Sequence, residues 1–98
     1  MSYVVTVVFI AKAAHRETFR RAIIENATAS RTLEPGCSQF DVCESADGSE
    51  IFLYEIYDDE AAFQAHLATD HYKRFNEAVK PWVADKRVVP YRRLSPES

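Results

Sequence analysis

Ninety-eight residues, 47% hydrophobic and 28% charged, are enough for one small domain spanning 1–98 with its own core, and leave nothing for a second. The formal net charge of −3 excludes a broad basic footprint, and the only dense cationic cluster is Lys86-Arg87 with Arg92-Arg93, so no nucleic-acid partner is expected. The apolar run from Tyr3 to Ile10 is too short to span a bilayer and lacks the flanks of a secretory leader, so no membrane partner and a cytoplasmic location are expected.

Tyr3 to roughly Lys12 is rich in β-branched and aromatic residues and reads as a strand. From about Ala14 to Leu33 the spacing is helical, with Phe19, Ile23, Ala27 and Ser30 on one stripe and Asn26 beside them. Glu34-Pro35-Gly36 stops this helix, because the residue before a proline is pushed out of the α region and glycine tolerates the turn. Cys37 to Glu44 alternates like a strand, the segment 45–49 carries an Asp-Gly turn signal, and Glu50 to Tyr57 is the partner strand. Asp58 or Asp59 caps a short helix to about Ala68, and Thr69 or Asp70 caps another to about Val83, its last turn kinked by Pro81. A last strand, roughly Arg87 to Arg92, is confined by Pro90 to a sheet edge or a bulge. Cys37 and Cys43, six apart on one strand and so roughly 20 Å from each other, are expected to stay reduced.

The order strand, helix, strand, strand, helix, strand predicts an α+β protein: a ferredoxin-like βαββαβ protomer with an antiparallel sheet and its helices on one face. Yet the first strand is apolar on both faces, Val5, Val7 and Phe9 against Val4, Val8 and Ile10. An uncovered sheet face of that kind predicts a homodimer packed sheet to sheet.

The chemistry concentrates in the third strand and just beyond it. Glu55 is a carboxylate in an otherwise apolar strand, on the face of Leu53 and Tyr57, where burial requires a partner or a shifted pKa. His66 follows where the chain has turned back over the sheet, which predicts a coupled Glu55–His66 pair with Asn26 lining the same space. His71 and Tyr72 open the next helix. Two histidines five apart, with no third ligand at helical spacing, do not predict a zinc site, so no metal is expected. Only Gly36 and Gly48 are present, which excludes a glycine-rich phosphate loop and the dinucleotide fold that would hold a flavin.

The runs Asn26…Ser30…Glu34-Pro35-Gly36-Cys37…Phe40-Asp41-Val42 and Phe52-Leu53-Tyr54-Glu55-Ile56-Tyr57…Ala62-Phe63…His66…Thr69-Asp70-His71-Tyr72 resemble the antibiotic biosynthesis monooxygenase (ABM) domain family over about three quarters of the chain. The resemblance implies a dimeric α+β barrel of ferredoxin-like protomers. It also implies one of the family's activities: cofactor-free monooxygenation of quinol or anthrone-type aromatics, haem degradation, or isomerisation of the phosphorylated autoinducer-2 signal. The segment Tyr54-Glu55-Ile56-Tyr57-Asp58-Asp59-Glu60 with His71-Tyr72-Lys73 is similar to the quinol monooxygenases and to the isomerase alike, whereas haem degradation would need an axial histidine accompanying the first-helix asparagine.

The resulting expectation is a cofactor-independent monooxygenase acting on a quinol-like or polyketide-type aromatic. His66 or His71 is the base, Glu55 the orienter, and Asn26 and Tyr72 are donors to the developing oxyanion. Asp41, Tyr54, Tyr57 and Phe52 join Tyr72 as candidate substrate contacts, and Phe40, Phe63 and Trp82 complete the aromatic interior. The alternatives are an isomerase of a phosphorylated hydroxy-dione, with Lys73, Arg74, Lys86 and Arg87 available for the phosphate, and a non-catalytic dimeric ligand-binding module.

Overall fold

A computed structural model describes residues 2–96. Its strands are β1 (Tyr3–Ala11), β2 (Cys37–Glu44), β3 (Glu50–Tyr57) and β4 (Val83–Arg92), and its helices are α1 (Arg16–Leu33), α2 (Glu60–Leu67) and α3 (Asp70–Val79). The strands form one antiparallel sheet in the order β2-β3-β1-β4, so this is the ferredoxin-like α+β plan with its second helix divided in two.

Local chemistry accounts for the breaks. The Asp59 side chain accepts from the Ala62 N–H at 2.8 Å and starts α2, while the Thr69 hydroxyl accepts from the Tyr72 N–H at 3.2 Å and starts α3. At the β2–β3 hairpin Gly48 adopts φ +76°, which a side chain would resist, and Asp47 accepts from Ser45, Ser49 and the Ser49 N–H. Those bonds hold the Asp47 carboxyl down at about 2.

Three boundaries differ from the sequence reading. The first helix opens with a 3₁₀ turn, Ala13–His15, before α1 proper, and the last helix ends at Val79, where Lys80–Trp82 tighten into another 3₁₀ turn around Pro81. That turn releases the chain early, so β4 begins at Val83, four residues before the expected Arg87. Pro90 sits in this edge strand opposite Val5, where a missing N–H costs nothing if it faces away from the sheet.

One side of the sheet is covered by helices. Val5, Val7 and Phe9 of β1, Leu53 and Tyr57 of β3, and Phe40 of β2 pack against Phe19, Ile23 and Ala27 of α1 and Phe75 and Val79 of α3. Among the described residues the other side carries no helix, yet beside Thr6 and Glu50 the alternate residues of β1 and β3 that face it are Val4, Val8, Ile10, Phe52, Tyr54 and Ile56. Phe52 is 39% exposed there, and Tyr91 of β4, opposite Val4, is 51% exposed.

Candidate active site

Polar residues at helical spacing build the site from α1 outward. Asn26 and Ser30 lie one turn apart on the inward stripe, both buried, and the next turn ends at Glu34. Pro35 holds Glu34 in extended backbone (φ −102°, ψ 109°), while the Glu34 N–H still donates to the Ser30 carbonyl at 3.1 Å, so its side chain continues the stripe. Gly36 then lets the chain pass against α2. A Cβ there would lie 2.7 Å from the Cβ of Ala62, and the Gly36 carbonyl accepts from the Asp58 N–H at 2.9 Å. The end of α1 is thereby pinned to the start of α2.

This arrangement brings Glu34 to both histidines. Oε2 of Glu34 lies 2.8 Å from His66 Nδ1 and 2.5 Å from His71 Nε2. Because a carboxylate oxygen accepts, the His66 ring donates from Nδ1, which leaves Nε2 with its lone pair. The Ser30 hydroxyl donates to the Asn26 carbonyl at 2.9 Å and makes longer contacts of 3.5 and 3.4 Å with the same two ring nitrogens. The Thr69 hydroxyl donates to the His66 carbonyl at 2.7 Å and fixes the α2–α3 corner. His66 is 2% exposed and is surrounded by the rings of Tyr57, Phe63 and Tyr72. Burial lowers its pKa, partly offset by the Glu34 hydrogen bond, and a lowered pKa keeps the ring neutral.

His66 faces a cavity of about 250 Å³ between helices and sheet, which Asn26, Glu55, Phe63, Tyr72 and Lys86 also line. The Oδ1 atom of Asn26 is buried and, among the described residues, has no hydrogen-bond partner. An unpaired acceptor in a cavity wall is costly unless a ligand donor meets it. Glu55 is 3% exposed, accepts from the Tyr57 hydroxyl at 2.6 Å, and has its pKa pushed up to about 7 by burial against that hydrogen bond. Burial also raises the pKa of Tyr57, with the neighbouring Glu55 adding to the effect, and burial raises that of Tyr72. Both phenols are thus held in the donor state.

Several expectations need correction. The carboxylate that meets His66 is Glu34, not Glu55, because Glu55 is taken up by Tyr57 on the strand while Glu34 projects from the helix end above the rings. Glu34 does join the two histidines as a third potential metal ligand, from a distant segment that helical spacing could not reveal, and the three donor atoms lie within 4.8 Å of one another. Their contacts of 2.8 and 2.5 Å are hydrogen-bond distances, however, whereas a tetrahedral ion about 2.0–2.1 Å from each ligand would hold them roughly 3.3 Å apart.

Asp41 is exposed and accepts from the Gln39 amide at 2.6 Å, outside the cavity. Phe52 and Tyr54 alternate with Glu55 and so face the helix-free side of the sheet. Tyr57 is fully buried behind Glu55. Asn26, Glu55, His66 and Tyr72 share the cavity, whereas His71 lies behind Glu34 and borders a separate groove between α1 and α3 with Glu25 and Arg74. Cys37 is buried and Cys43 exposed, both as free thiols, and burial pushes the Cys37 pKa up to about 11, which keeps it an unreactive thiol.

Comparison with known proteins agrees with this architecture. The family profile for antibiotic biosynthesis monooxygenase matches residues 1–78. "Putative monooxygenase Rv0793" of Mycobacterium tuberculosis is 34% identical over 59 residues, which span 60% of this chain and 58% of that protein. Its solved structure superimposes with a TM-score of 0.92 at 27% identity, covering 100% of both chains. The solved "Putative antibiotic biosynthesis monooxygenase" of Nitrosomonas europaea has a TM-score of 0.93 at 33% identity, covering 99% of this chain and 94% of its own.

Proposed function

The chain belongs to the antibiotic biosynthesis monooxygenase family, and on that premise we propose that its cavity carries out cofactor-independent oxygenation of a quinol-like aromatic. One observation carries this reading: the buried Glu34–His66 pair, in which the carboxylate occupies Nδ1 and leaves Nε2 as the free base in an aromatic-lined cavity.

In this reading His66 Nε2 takes the phenolic proton of the substrate. Glu34 stabilises the imidazolium that forms and holds the ring in place. The Tyr72 hydroxyl, protonated because burial raises its pKa, donates to the phenolate oxygen. Asn26 Oδ1 accepts from a second substrate hydroxyl, which satisfies its orphaned lone pairs. The electron-rich phenolate gives one electron to dioxygen, and the radical pair joins at a ring carbon as a peroxide. Cleavage of the O–O bond leaves one oxygen as the new carbonyl and releases the other as water, with both protons drawn from the substrate. The substrate itself is the reductant.

Glu55 supports a second reading. A carboxyl with a pKa of about 7 on the same cavity as a neutral histidine supplies an acid beside a base, which is what an isomerase of a hydroxy-dione needs to remove a proton at one carbon and return it at another. The helix-free sheet face, with Phe52, Tyr54 and Ile56, supports a homodimer formed through that face in either case.

Oxygen uptake and product mass, followed with hydroquinones and with phosphorylated hydroxy-diones, test the assignment. Uptake of one dioxygen per molecule of a product that has gained one oxygen atom and lost two hydrogens, a hydroxyquinone, is the expected result, and quinone formed with hydrogen peroxide would count against oxygenation. Isomerisation of the dione without uptake would replace the oxygenase by the isomerase.

A further inference from the structure

Lys86 takes no part in the oxygenation above, yet among the described residues it is the one lysine or arginine in the cavity wall. It faces inward on β4 opposite Phe9, and its ammonium lies 5.3 Å from the centroid of the Phe9 ring. Among the described residues that ammonium makes no hydrogen bond and no ion pair. Burial lowers its pKa, and Glu55 offsets only part of that effect. Lys86 as a whole is an exposed residue, so this ammonium is a cation at the solvent edge of the cavity, open to an anion that arrives there.

Its position also gives the cavity a direction. Lys86 and Phe9 sit at one end of the β1 track, whereas Glu55 lies opposite Val5, four residues and so about 13 Å of backbone along β1. Around Glu55 and His66 the free groups include three acceptors: His66 Nε2, Asn26 Oδ1 and the second oxygen of Glu55. At the β4 end the cavity approaches solvent, since Val88 lines it and is still 45% exposed. The wall therefore offers hydrogen-bond acceptors deep inside and a positive charge at the rim.

We propose that Lys86 is a specificity-determining residue that seats an anionic substituent, a carboxylate or a phosphate, on an aromatic substrate whose hydroxyl meets His66. The hydroxyl end of this assignment rests on the function proposed above, whereas the anionic end rests on Lys86 alone. The cavity volume of about 250 Å³ admits one aromatic ring with a short charged side chain.

Calorimetric titration of the intact protein with three ligands tests it: 4-hydroxyphenylacetate, its methyl ester, and 2-(4-hydroxyphenyl)ethyl phosphate. Wild type should bind the acid about 5–10-fold more tightly than the ester, with the preference shrinking as salt is raised, as a partly exposed ion pair requires. Lys86→Met should abolish the preference, and Lys86→Arg should keep it, with thermal melts showing that both variants are folded. The tighter of acid and phosphate identifies the anion. Equal binding of acid and ester by wild type, or a preference that survives in Lys86→Met, overturns the proposal. If hydroquinone is turned over but none of the three ligands binds, the anion site alone fails. If hydroquinone is inert and the Lys86-dependent preference is present, the oxygenase reading fails and the anion site stands.

Discussion

Two buried carboxylates, Glu34 at the end of α1 and Glu55 in the middle of β3, have opposite surroundings. Glu34 is met by two imidazoles through one oxygen, while Glu55 has a single phenol and an apolar wall. The difference shows how one residue type divides its roles by neighbourhood. A carboxylate given donors becomes a fixed point that aligns rings, whereas one deprived of them becomes a group that titrates near neutrality.

The sharpest way to break the comparison is to remove the ring that Glu34 aligns. His66→Ala should lower turnover of hydroquinone by about 10²–10⁴-fold, measured as oxygen uptake, because general-base catalysis is typically worth that much. A loss of only a few-fold would mean that Glu34 holds a structural histidine. Glu34→Gln keeps the shape but removes the charge that steadies an imidazolium. Its expected loss is about 10–100-fold in turnover, the usual scale for a group that orients a functional histidine.

Glu55 should show itself in stability rather than alignment. Its pKa is raised from 4.5 to about 7 on folding, so the folded state favours the protonated form. The stability it allows is fully present below pH 4.5 and is lost as pH rises through about 7, by roughly 3 kcal/mol. Urea unfolding of Glu55→Gln should therefore give a flatter profile between those pH values, and a protein more stable than wild type at pH 8. His66, with its lowered pKa, contributes with the opposite sign: stability present above its unfolded pKa of 6.5 and lost as pH falls through the folded one. The smallest effect on the cavity should come from Phe52→Arg on the helix-free face. Light scattering should show the mass of the assembly halved, with hydroquinone affinity within about 2-fold of wild type, since Phe52 and Glu55 point to opposite sides of β3.

The same two carboxylates mark what the sequence reveals and what it hides. Strand alternation and helix caps are local signals, so the four strands, the divided second helix and the restriction of Pro90 to an edge or a bulge could be read directly. Glu55 stood out because a charge interrupts an apolar strand. Glu34 did not, because its neighbours Pro35 and Gly36 announce only a helix end. A signal was nevertheless present: Asn26, Ser30 and Glu34 recur every four residues, a polar stripe on a helix whose other inward residues are apolar. Which histidine that stripe would meet depends on how α2 folds back over the sheet, a non-local event. Phe52 and Tyr54 erred for a simpler reason, since even-numbered residues of β3 share no face with Glu55.

Gly36 carries a consequence of another kind. With only a hydrogen where other residues have a methyl, it works as a gauge block between the end of α1 and the first turn of α2. The chain has free space in its hairpin, where a Cβ on Gly48 meets nothing within 4 Å, but none here. Any larger residue at 36 would wedge the two helices apart along the line that joins Glu34 to His66. Mutational tolerance should therefore be read in two currencies at this position. A screen for folded protein would accept alanine, while a screen for turnover would return glycine, because the tolerance of a hydrogen bond is tighter than that of a core.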